Sequence, residues 1–287
     1  MRTKEQEVLR MYVRAREDFQ AMRKRMDNRL GRKADGKVQK IQDERTFRGE
    51  DLDNFMEISG QAKSQEAAVA KMLKDALEEF PVYNNWLKDV KGVGEVAAGW
   101  LLGEFDIEKA TAVSKMWQYA GLNPSLVKGK KRIAKKSYKP AMGTVIREMK
   151  NIKSGGVDYI IQTDELIKGD RPTEGFVLPY NKNLKTFLLG VLAGNFMKSK
   201  SNYALEFYYP YKARLEREDS VVETHGRERK DSGKMWKDVS PGHRDNAAKR
   251  YMIKMFLRDL YVAWREIEGL PVRCPYEEEY LNKKHTA

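Results

Sequence analysis

Apolar residues recur every three or four positions over residues 4–30, with charged residues between them. This is the period of an amphipathic helix, so the pattern predicts one long helix that ends at Gly31. A second run with the same period predicts a helix from about Ser64 to Phe80. Two helices with a polar connection indicate either an antiparallel arm or a dimerising coiled coil, and their heptads are too irregular to decide.

Helical periodicity continues from Val82 to Leu102 and then in shorter stretches, over 113–119, 140–149, 184–197 and 246–268. Residues 151–179 carry Gly, Asp and Pro and predict an inserted loop or small subdomain. No strand-like alternation of any length is evident. The pattern therefore predicts a mainly α fold: a helical arm or coiled coil at 1–79, followed by a helical domain at 80–287 with an insertion at about 151–179.

The charge balance narrows the class of partner. The chain has 55 Lys and Arg against 42 Asp and Glu, a formal net charge of +13. Such an excess favours a polyanion, either nucleic acid or an acidic membrane face. The N-terminus has no signal-peptide pattern and the apolar run at 187–193 is too short to span a bilayer, so we expect a cytoplasmic protein without a membrane partner.

The cysteine and histidine content of the sequence argues against an intramolecular disulfide and against a metal site. The single cysteine, Cys274, excludes an intramolecular disulfide and a zinc site of several cysteines. His225 and His285 lie in polar segments without ligand spacing around them, so no metal site is expected.

The segment from Tyr83 to Leu102 has the layout of a helix-hairpin-helix. Two apolar helical faces flank a turn in which glycines leave the backbone bare, and an apolar residue between the glycines can fill the space between the helices. Main-chain N–H groups at the start of the second helix would then bind a DNA phosphate, whatever the base sequence. The predicted contacts are Lys91, Gly92, Val93, Gly94 and Glu95. The alternative is an ordinary helix-helix turn. Carbonyl groups of such turns can also hold a monovalent cation.

Two basic segments extend this prediction. Residues 128–139 hold seven positive charges and no acid, which predicts a basic loop that needs a nearby anion: Lys128, Lys130, Lys131, Arg132, Lys135, Lys136 and Lys139. On the last helix, four cations share one side, which is either a stripe along a DNA backbone or the wet side of a core helix: Arg250, Lys254, Arg258 and Arg265.

Several motifs together resemble a known family, the insertion-sequence transposases that join a RuvC-like DEDD nuclease to a helix-hairpin-helix serine domain. The resemblance covers roughly residues 80–150 and 180–272, in the family's order, with motifs at 118–125, 129–132, 180–185, 198–200, 211–214, 248–252 and 269–271. It implies DNA binding, a coiled-coil linker at the N-terminus and a catalytic role for Ser125. The family's nuclease domain has no counterpart here, so the resemblance implies DNA handling more than complete transposition.

Catalysis is therefore a second hypothesis beside binding. Ser125 is either a nucleophile or a turn residue. His243 and Asp245 lie at the entrance of a basic helix, where they suit a phosphate or a general base, although Asp245 also suits an N-cap. A DNA-base-modifying enzyme, glycosylase-like or a group transferase, would use Asp245, Asp106 or Glu104 as its acid.

A third hypothesis is an RNA-assisted recombinase partner that binds RNA through the basic loop. The tyrosine-rich cluster at 203–211 either stacks on unpaired bases or packs in the core. The expected partners are duplex DNA, RNA under the third hypothesis, and a second copy of the chain.

Overall fold

The computed structural model describes residues 3–29, 50–152, 154–222 and 233–273. The fold is mainly helical, as predicted. The chain divides into two compact units, Met1–Asp106 and Ile107–Ala287. The predicted boundary at residues 79 and 80 thus falls inside the first unit, in which the helix-hairpin-helix segment packs on the N-terminal helices.

The first unit is built on two long helices, α1 (Lys4–Arg29) and α2 (Glu50–Leu77). Their contacts run in opposite directions along the two helices: Asp27 accepts from Ser59, whereas Arg16 and Arg23 both pair with Glu66 further along α2. The pair is therefore antiparallel within one chain. The structure begins α2 well before the predicted Ser64, since the polar stretch ahead of that residue continues the helix.

The helix-hairpin-helix closes this unit. It consists of α3 (Pro81–Asn85), a 3₁₀ turn (Leu87–Asp89) and α4 (Glu95–Glu104). Two glycines let α4 approach the long helices closely. A Cβ at Gly99 would lie 2.7 Å from Val13 Cγ2, and a Cβ at Gly103 would lie 2.8 Å from Arg10 Cγ. The backbone of α4 thus packs directly against side chains of the helical pair.

A three-stranded antiparallel sheet in the second unit was not predicted. Its strands are β1 (Leu126–Ala134), β2 (Thr144–Lys150) and β3 (Val157–Lys168), in the order β1-β3-β2, with 3₁₀ turns at Lys135–Ser137 and Pro140–Met142. The predicted helix at 140–149 is therefore wrong, and the predicted loop at 151–179 contains the central strand. Exposed residues along β2 hide the two-residue period from which a strand is recognised in sequence.

The core of the second unit surrounds its last helix, α9 (Pro241–Ile267). The helix α5 (Val113–Tyr119) packs on it. The short helix α6 (Lys182–Thr186) leads into a π turn (Phe187–Leu192), and this turn packs on α9 together with α7 (Ala193–Ser199), a second π turn (Ala204–Tyr208) and α8 (Tyr209–Leu215). A 3₁₀ turn at Trp236–Asp238 precedes α9. Ser240 caps α9 by accepting a hydrogen bond from the His243 N–H at 3.3 Å, so Asp245 is not the N-cap that the sequence suggested.

Candidate nucleic-acid interface

The hairpin turn lies at the surface of its unit. Gly92 adopts φ +100°, a conformation that favours glycine, and the Val93 N–H donates to the Val90 carbonyl oxygen at 2.9 Å. Val93 is 8% exposed and packs inward, as expected for the apolar residue of this motif. Lys91, Gly94 and Glu95 are exposed. The turn therefore presents bare backbone to solvent rather than to the core.

Gly94 occupies the N-cap position of α4 and has no side chain to cap it. The N–H groups in the first turn of a helix have no acceptor within the helix, and the helix dipole places partial positive charge there. A Cβ built on Gly94 would meet nothing within 4 Å. An anion can thus reach these N–H groups, with the exposed Lys88 and Lys91 nearby in sequence.

The basic segment 128–139 is not a loop, because its first part is strand β1 and its second part a 3₁₀ turn. Four of its seven cations meet carboxylates on the neighbouring strands. Lys128 contacts Asp164 at 2.7 Å and Arg132 contacts Asp158 at 2.6 Å. Lys131 pairs with Glu165, and Lys135 contacts Glu148 at 3.4 Å. The expectation that this segment repels itself without an external anion is therefore wrong, since β2 and β3 supply compensating acids.

The sheet nevertheless remains basic. Residues 126–168 carry eleven Lys and Arg against four Asp and Glu. Lys130, Lys136 and Lys139 are exposed, and they are the members of the predicted set that remain best placed to meet a polyanion.

The predicted stripe on α9 does not form as one exposed surface. Arg265 is 5% exposed, and its guanidinium donates to the main-chain oxygens of Ile107, Ala110 and Pro271 at 2.8, 3.1 and 2.6 Å. Including Arg265 among the DNA contacts was therefore wrong. A buried arginine has to satisfy its donors inside the protein, and here it holds loop carbonyls to the core helix.

The other members of that stripe differ in their surroundings. The ammonium of Lys254 lies 4.2 Å from the ring centroid of Trp117, whose indole N–H donates to the Lys254 carbonyl oxygen at 3.1 Å. Arg258 contacts Asp259 at 2.9 Å, and both are half-buried. Arg250 is exposed. Because α9 is the central core helix, its polar side is narrower than the sequence period alone suggested.

Ser125 lies at the surface, directly before β1. Its N–H donates to the Asn123 side-chain oxygen at 3.3 Å, and its carbonyl oxygen accepts from the Gly169 N–H at 2.9 Å. The motif around Ser125 also meets the motif that begins at Tyr180, because the Asn181 N–H donates to the Tyr119 carbonyl oxygen at 2.8 Å. The fold thus brings the motif that contains Ser125 together with the motif that begins at Tyr180.

His243 and Asp245 lie in the first turns of α9. The ring of His243 packs edge-on against Trp236, with centroids 5.4 Å apart. Asp245 accepts a hydrogen bond from the Tyr208 hydroxyl and pairs with Lys249 at 2.7 Å. Burial acts to raise the pKa of Asp245, but the hydrogen bonds from Lys249 and Tyr208 lower it below its ordinary value. Asp245 is therefore held as a carboxylate, a state that does not suit a general acid.

Much of the tyrosine-rich cluster packs in the protein. Tyr203 packs against Phe196 and Phe256 with centroid separations of 5.3 Å, and its hydroxyl donates to Asp259 at 3.0 Å. Tyr208 is buried, whereas Tyr209 is exposed. Of the two interpretations of this cluster, core packing therefore describes Tyr203 and Tyr208, because their side chains contact α9.

One basic cluster escaped the sequence interpretation. The Lys185 ammonium donates to the Asp170 carbonyl oxygen at 2.5 Å and lies 4.6 Å from the ring centroid of Tyr180. Burial lowers the pKa of Lys185; Asp170 opposes this effect, while the positive charges of Arg250 and Arg171 add to it. Arg171 was overlooked because it falls in the segment predicted as an inserted loop, and only the fold brings its charge close enough to affect Lys185.

Among the residues that the structure describes, no helix is long and apolar enough to cross a membrane, and no group of three or more His, Cys, Asp or Glu side chains is placed to hold a metal ion. Cys274, His225 and His285 lie outside the described residues. No family model, curated protein or solved structure matches the chain.

Proposed function

We propose that this protein binds duplex DNA, holding the phosphate backbone at the helix-hairpin-helix turn. The observation that carries the proposal is the exposed turn from Gly92 to Glu95 at an uncapped helix start, with Val93 packed beneath it. A helix start without a capping side chain keeps its N–H groups available for an anion. Contacts of this kind position a duplex without reading its bases.

The charge distribution supports a polyanionic ligand. The chain carries a formal charge of +13, and Lys88 and Lys91 are exposed close to the turn in sequence. In the second unit, Lys130 is exposed on β1, and Lys136 and Lys139 are exposed in the turns between β1 and β2. Clustered cations of this kind attract a backbone that carries one negative charge per phosphate.

Two of the three carboxylates considered for base chemistry, Glu104 and Asp245, are poorly suited to act as a general acid. Glu104 is 4% exposed and pairs with Arg10 at 2.9 Å, and Asp245 is held as a carboxylate by Tyr208 and Lys249. A general acid needs a proton to give and access to substrate. We therefore propose a binding protein and treat base modification as an outcome to be tested.

The substitution Gly94→Asp separates binding from folding. Gly94 has φ −97° and ψ 178°, an extended conformation that aspartate adopts readily, and its added side chain has open space. Aspartate is a preferred N-cap and its carboxylate would accept from the same N–H groups that a phosphate needs. We expect an unchanged or slightly raised melting temperature and at least a tenfold loss of affinity for a fluorescein-labelled 20-base-pair duplex, measured by anisotropy.

The matched control is Gly60→Asp, which makes the same charge change at an exposed position of α2 with open space around it. Its affinity should stay within about twofold of the unmodified protein. Gly94→Ser, an uncharged cap, should give an intermediate loss. If Gly94→Asp and Gly60→Asp bind the duplex equally well, the turn does not hold phosphate. Tighter binding of a structured RNA than of the duplex would favour the RNA hypothesis, and a new nucleoside mass after incubation with DNA would favour an enzyme.

A further inference from the structure

A cavity of about 360 Å³ lies in the second unit, between α5, strands β1 and β3 and the segment that follows β3. Its lining combines aliphatic side chains, two glutamines and two lysines, and includes no carboxylate. We propose that this cavity binds one unpaired nucleobase of a nucleic acid strand, with the phosphate of the same nucleotide at Lys130. The proposal rests on the proposed DNA binding for the source of the base, but the cavity contains no residue of the hairpin.

Main-chain hydrogen bonds hold the walls of the cavity together. On the sheet, β1 and β3 pair so that Val127 lies opposite Ile167 and Lys130 lies opposite Gln162, and all four residues line the cavity. The Val177 N–H donates to the Lys130 carbonyl oxygen at 2.7 Å, which fixes the segment after β3 along β1. The cavity is thus formed before a ligand arrives, which lowers the cost of binding.

A glycine in β1 lets the segment after β3 approach closely. The register of β1 and β3 shifts at Gly129, and a Cβ built there would lie 2.3 Å from Phe176 Cε1, so the Phe176 ring packs directly on the strand backbone. Further along the same segment, the Asn181 N–H donates to the Tyr119 carbonyl oxygen at 2.8 Å. This bond ties the segment to the end of α5, next to Gln118. Both ends of this wall are therefore fixed.

The aliphatic walls suit the flat faces of a base. Val127, Ile167, Val177 and Pro179 line the cavity, and all but Ile167 are only half-buried, so part of their apolar surface stays accessible. A planar heterocycle placed against them removes this surface from water, which is favourable. Apolar side chains hold extruded bases in this way in enzymes that act on them. The volume lies at the lower end of the range for small-molecule sites, which fits one base with its sugar.

Two glutamine side chains provide the polar contacts. Gln118 and Gln162 line the cavity and are half-buried, and neither side-chain amide has a hydrogen-bond partner among the described residues. Each amide carries a donor and an acceptor side by side. This pair matches the edge of adenine, on which N6 donates and N7 accepts. Adenine is therefore the base with which the cavity is tested.

The charge of the cavity favours a ligand that carries a phosphate. Lys128 contacts Asp164 at 2.7 Å, and both side chains are exposed. Lys130 is also exposed and has no carboxylate partner in the part of the chain that the structure describes. Because Lys130 lies opposite Gln162, its ammonium can reach a phosphate while the base contacts the amide. A nucleotide thus satisfies the aliphatic, amide and cationic parts of the cavity together.

The test compares adenosine monophosphate with ribose 5-phosphate, which lacks the base, by titration calorimetry on the full chain. We expect the unmodified protein to bind adenosine monophosphate at least fivefold more tightly. Gln118→Leu and Gln162→Leu each remove one amide at similar volume, so each should lose at least threefold in affinity for adenosine monophosphate and keep its affinity for ribose 5-phosphate. Lys130→Met should weaken the binding of both ligands alike.

The matched controls make the same changes at exposed positions outside the cavity. They are Gln65→Leu on α2 and Lys136→Met in the turn after β1, and both should bind adenosine monophosphate within about twofold of the unmodified protein. Unchanged melting temperatures show that the variants fold. Gln118 lies on a helix rather than in the sheet, so Gln118→Leu decides the test if Gln162→Leu is less stable.

Competition identifies the source of the base. A single strand of ten deoxyadenosines should displace bound adenosine monophosphate, whereas the fully paired 20-base-pair duplex should not. Displacement by neither would overturn a nucleic acid strand as the source. Equally strong displacement by the duplex would overturn the requirement for an unpaired base.

Two further results would overturn the site. Equal affinities of the unmodified protein for adenosine monophosphate and ribose 5-phosphate would exclude base binding. Equal affinities of Gln118→Leu, Gln162→Leu and Gln65→Leu for adenosine monophosphate would exclude this cavity as its place. Gly94→Asp should keep its affinity for adenosine monophosphate. Nucleotide binding without duplex binding would therefore be a failure of the hairpin proposal, and duplex binding without nucleotide binding a failure of this one.

Discussion

At the residue scale, Glu95 has opposite effects on the stability of the hairpin and on the proposed phosphate binding. Its exposed carboxylate occupies the first position of α4, where it interacts favourably with the positive end of the helix dipole. A phosphate at the same helix start would be repelled by it. The residue thus stabilises the free protein and weakens the proposed complex.

Replacing Glu95 by glutamine should therefore act in opposite directions on stability and binding. We expect a loss of about 0.3–1 kcal/mol in the free energy of unfolding and a two- to fivefold gain in duplex affinity at low salt. Urea titration and anisotropy measure the two quantities. Weaker binding by this variant would argue that no phosphate approaches the turn.

At Gly143, both the backbone conformation and the close approach of β3 exclude a side chain. It has φ +133°, and an added Cβ would lie 2.2 Å from the main-chain oxygen of Gln162, which cannot move without breaking the β2–β3 pairing. Gly143→Ala should lower the free energy of unfolding by about 3 kcal/mol or more. Gly175→Ala is the control, since Gly175 also has positive φ but open space, and it should cost about 1–2 kcal/mol. Equal losses in urea unfolding would contradict the steric explanation.

At the element scale, the close approach of α4 to the helical pair depends on Gly99. A methyl group there would meet Val13 Cγ2 at 2.7 Å and Leu73 Cδ1 at 2.8 Å. Gly99→Ala should therefore destabilise the protein by about 1–3 kcal/mol through overpacking. Gly60→Ala, on an open helix surface, should instead stabilise it by about 0.5–1 kcal/mol. Thermal unfolding of both variants compares the two, and stabilisation by Gly99→Ala would show that the helices do not pack in this way.

The second π turn and the residue before it hold two tyrosines, Tyr208 and Tyr203, against α9. Burial raises the pKa of Tyr203 and of Tyr208, and their hydrogen bonds to Asp259 and Asp245 raise it further. In the unfolded chain both titrate near pH 10. A folded-state pKa above the unfolded value stabilises the protein below pH 10, and this stability is lost as the pH rises beyond it.

The free energy of unfolding should therefore fall above pH 10, by about 1.4 kcal/mol per pH unit for each of these tyrosines. Tyr208→Phe removes one of the two groups, so its decline should be shallower by about that amount per unit. Urea unfolding at pH 9 to 11.5 gives the two slopes. Parallel slopes would mean that Tyr208 ionises equally easily in both states.

The helices were predictable from sequence and the sheet was not. Long amphipathic helices such as α1 and α9 repeat their period many times, so they are recognised despite uncertain ends. In β2 the residues are mostly exposed on both sides, and in β3 buried isoleucines are adjacent at Ile160 and Ile161, so neither strand alternates cleanly. Tertiary pairing, not local pattern, determines these strands.

At the scale of the whole molecule, the excess of 55 basic over 42 acidic residues predicts a strong salt dependence. The logarithm of duplex affinity should fall linearly with the logarithm of salt concentration, with a slope of about −0.9 per neutralised phosphate. We expect a slope steeper than about −3 from anisotropy titrations between 50 and 300 mM potassium chloride. A slope near zero would exclude a backbone-binding mode.

The candidate interface was only partly predictable for a related reason. Sequence shows which residues are cationic but not which of them meet carboxylates or carbonyls after folding. Arg265 turned inward to three main-chain oxygens, and Arg132 found Asp158 across the sheet. Arg171 and Arg250, far apart in sequence, both lower the pKa of Lys185. The turn at Gly92 was predictable because its signal is local.

The bulge in the edge strand β2 opposes aggregation of this protein through pairing of sheet edges. The register shifts between Val145 and Arg147, and this strand is an edge with β-branched residues exposed at 145 and 146. An unbroken edge would serve as a template for strands of other molecules, which is the first step of aggregation. The bulge interrupts the row of backbone donors and acceptors. The basic sheet can therefore stay exposed to a ligand without pairing with the sheet of a second copy.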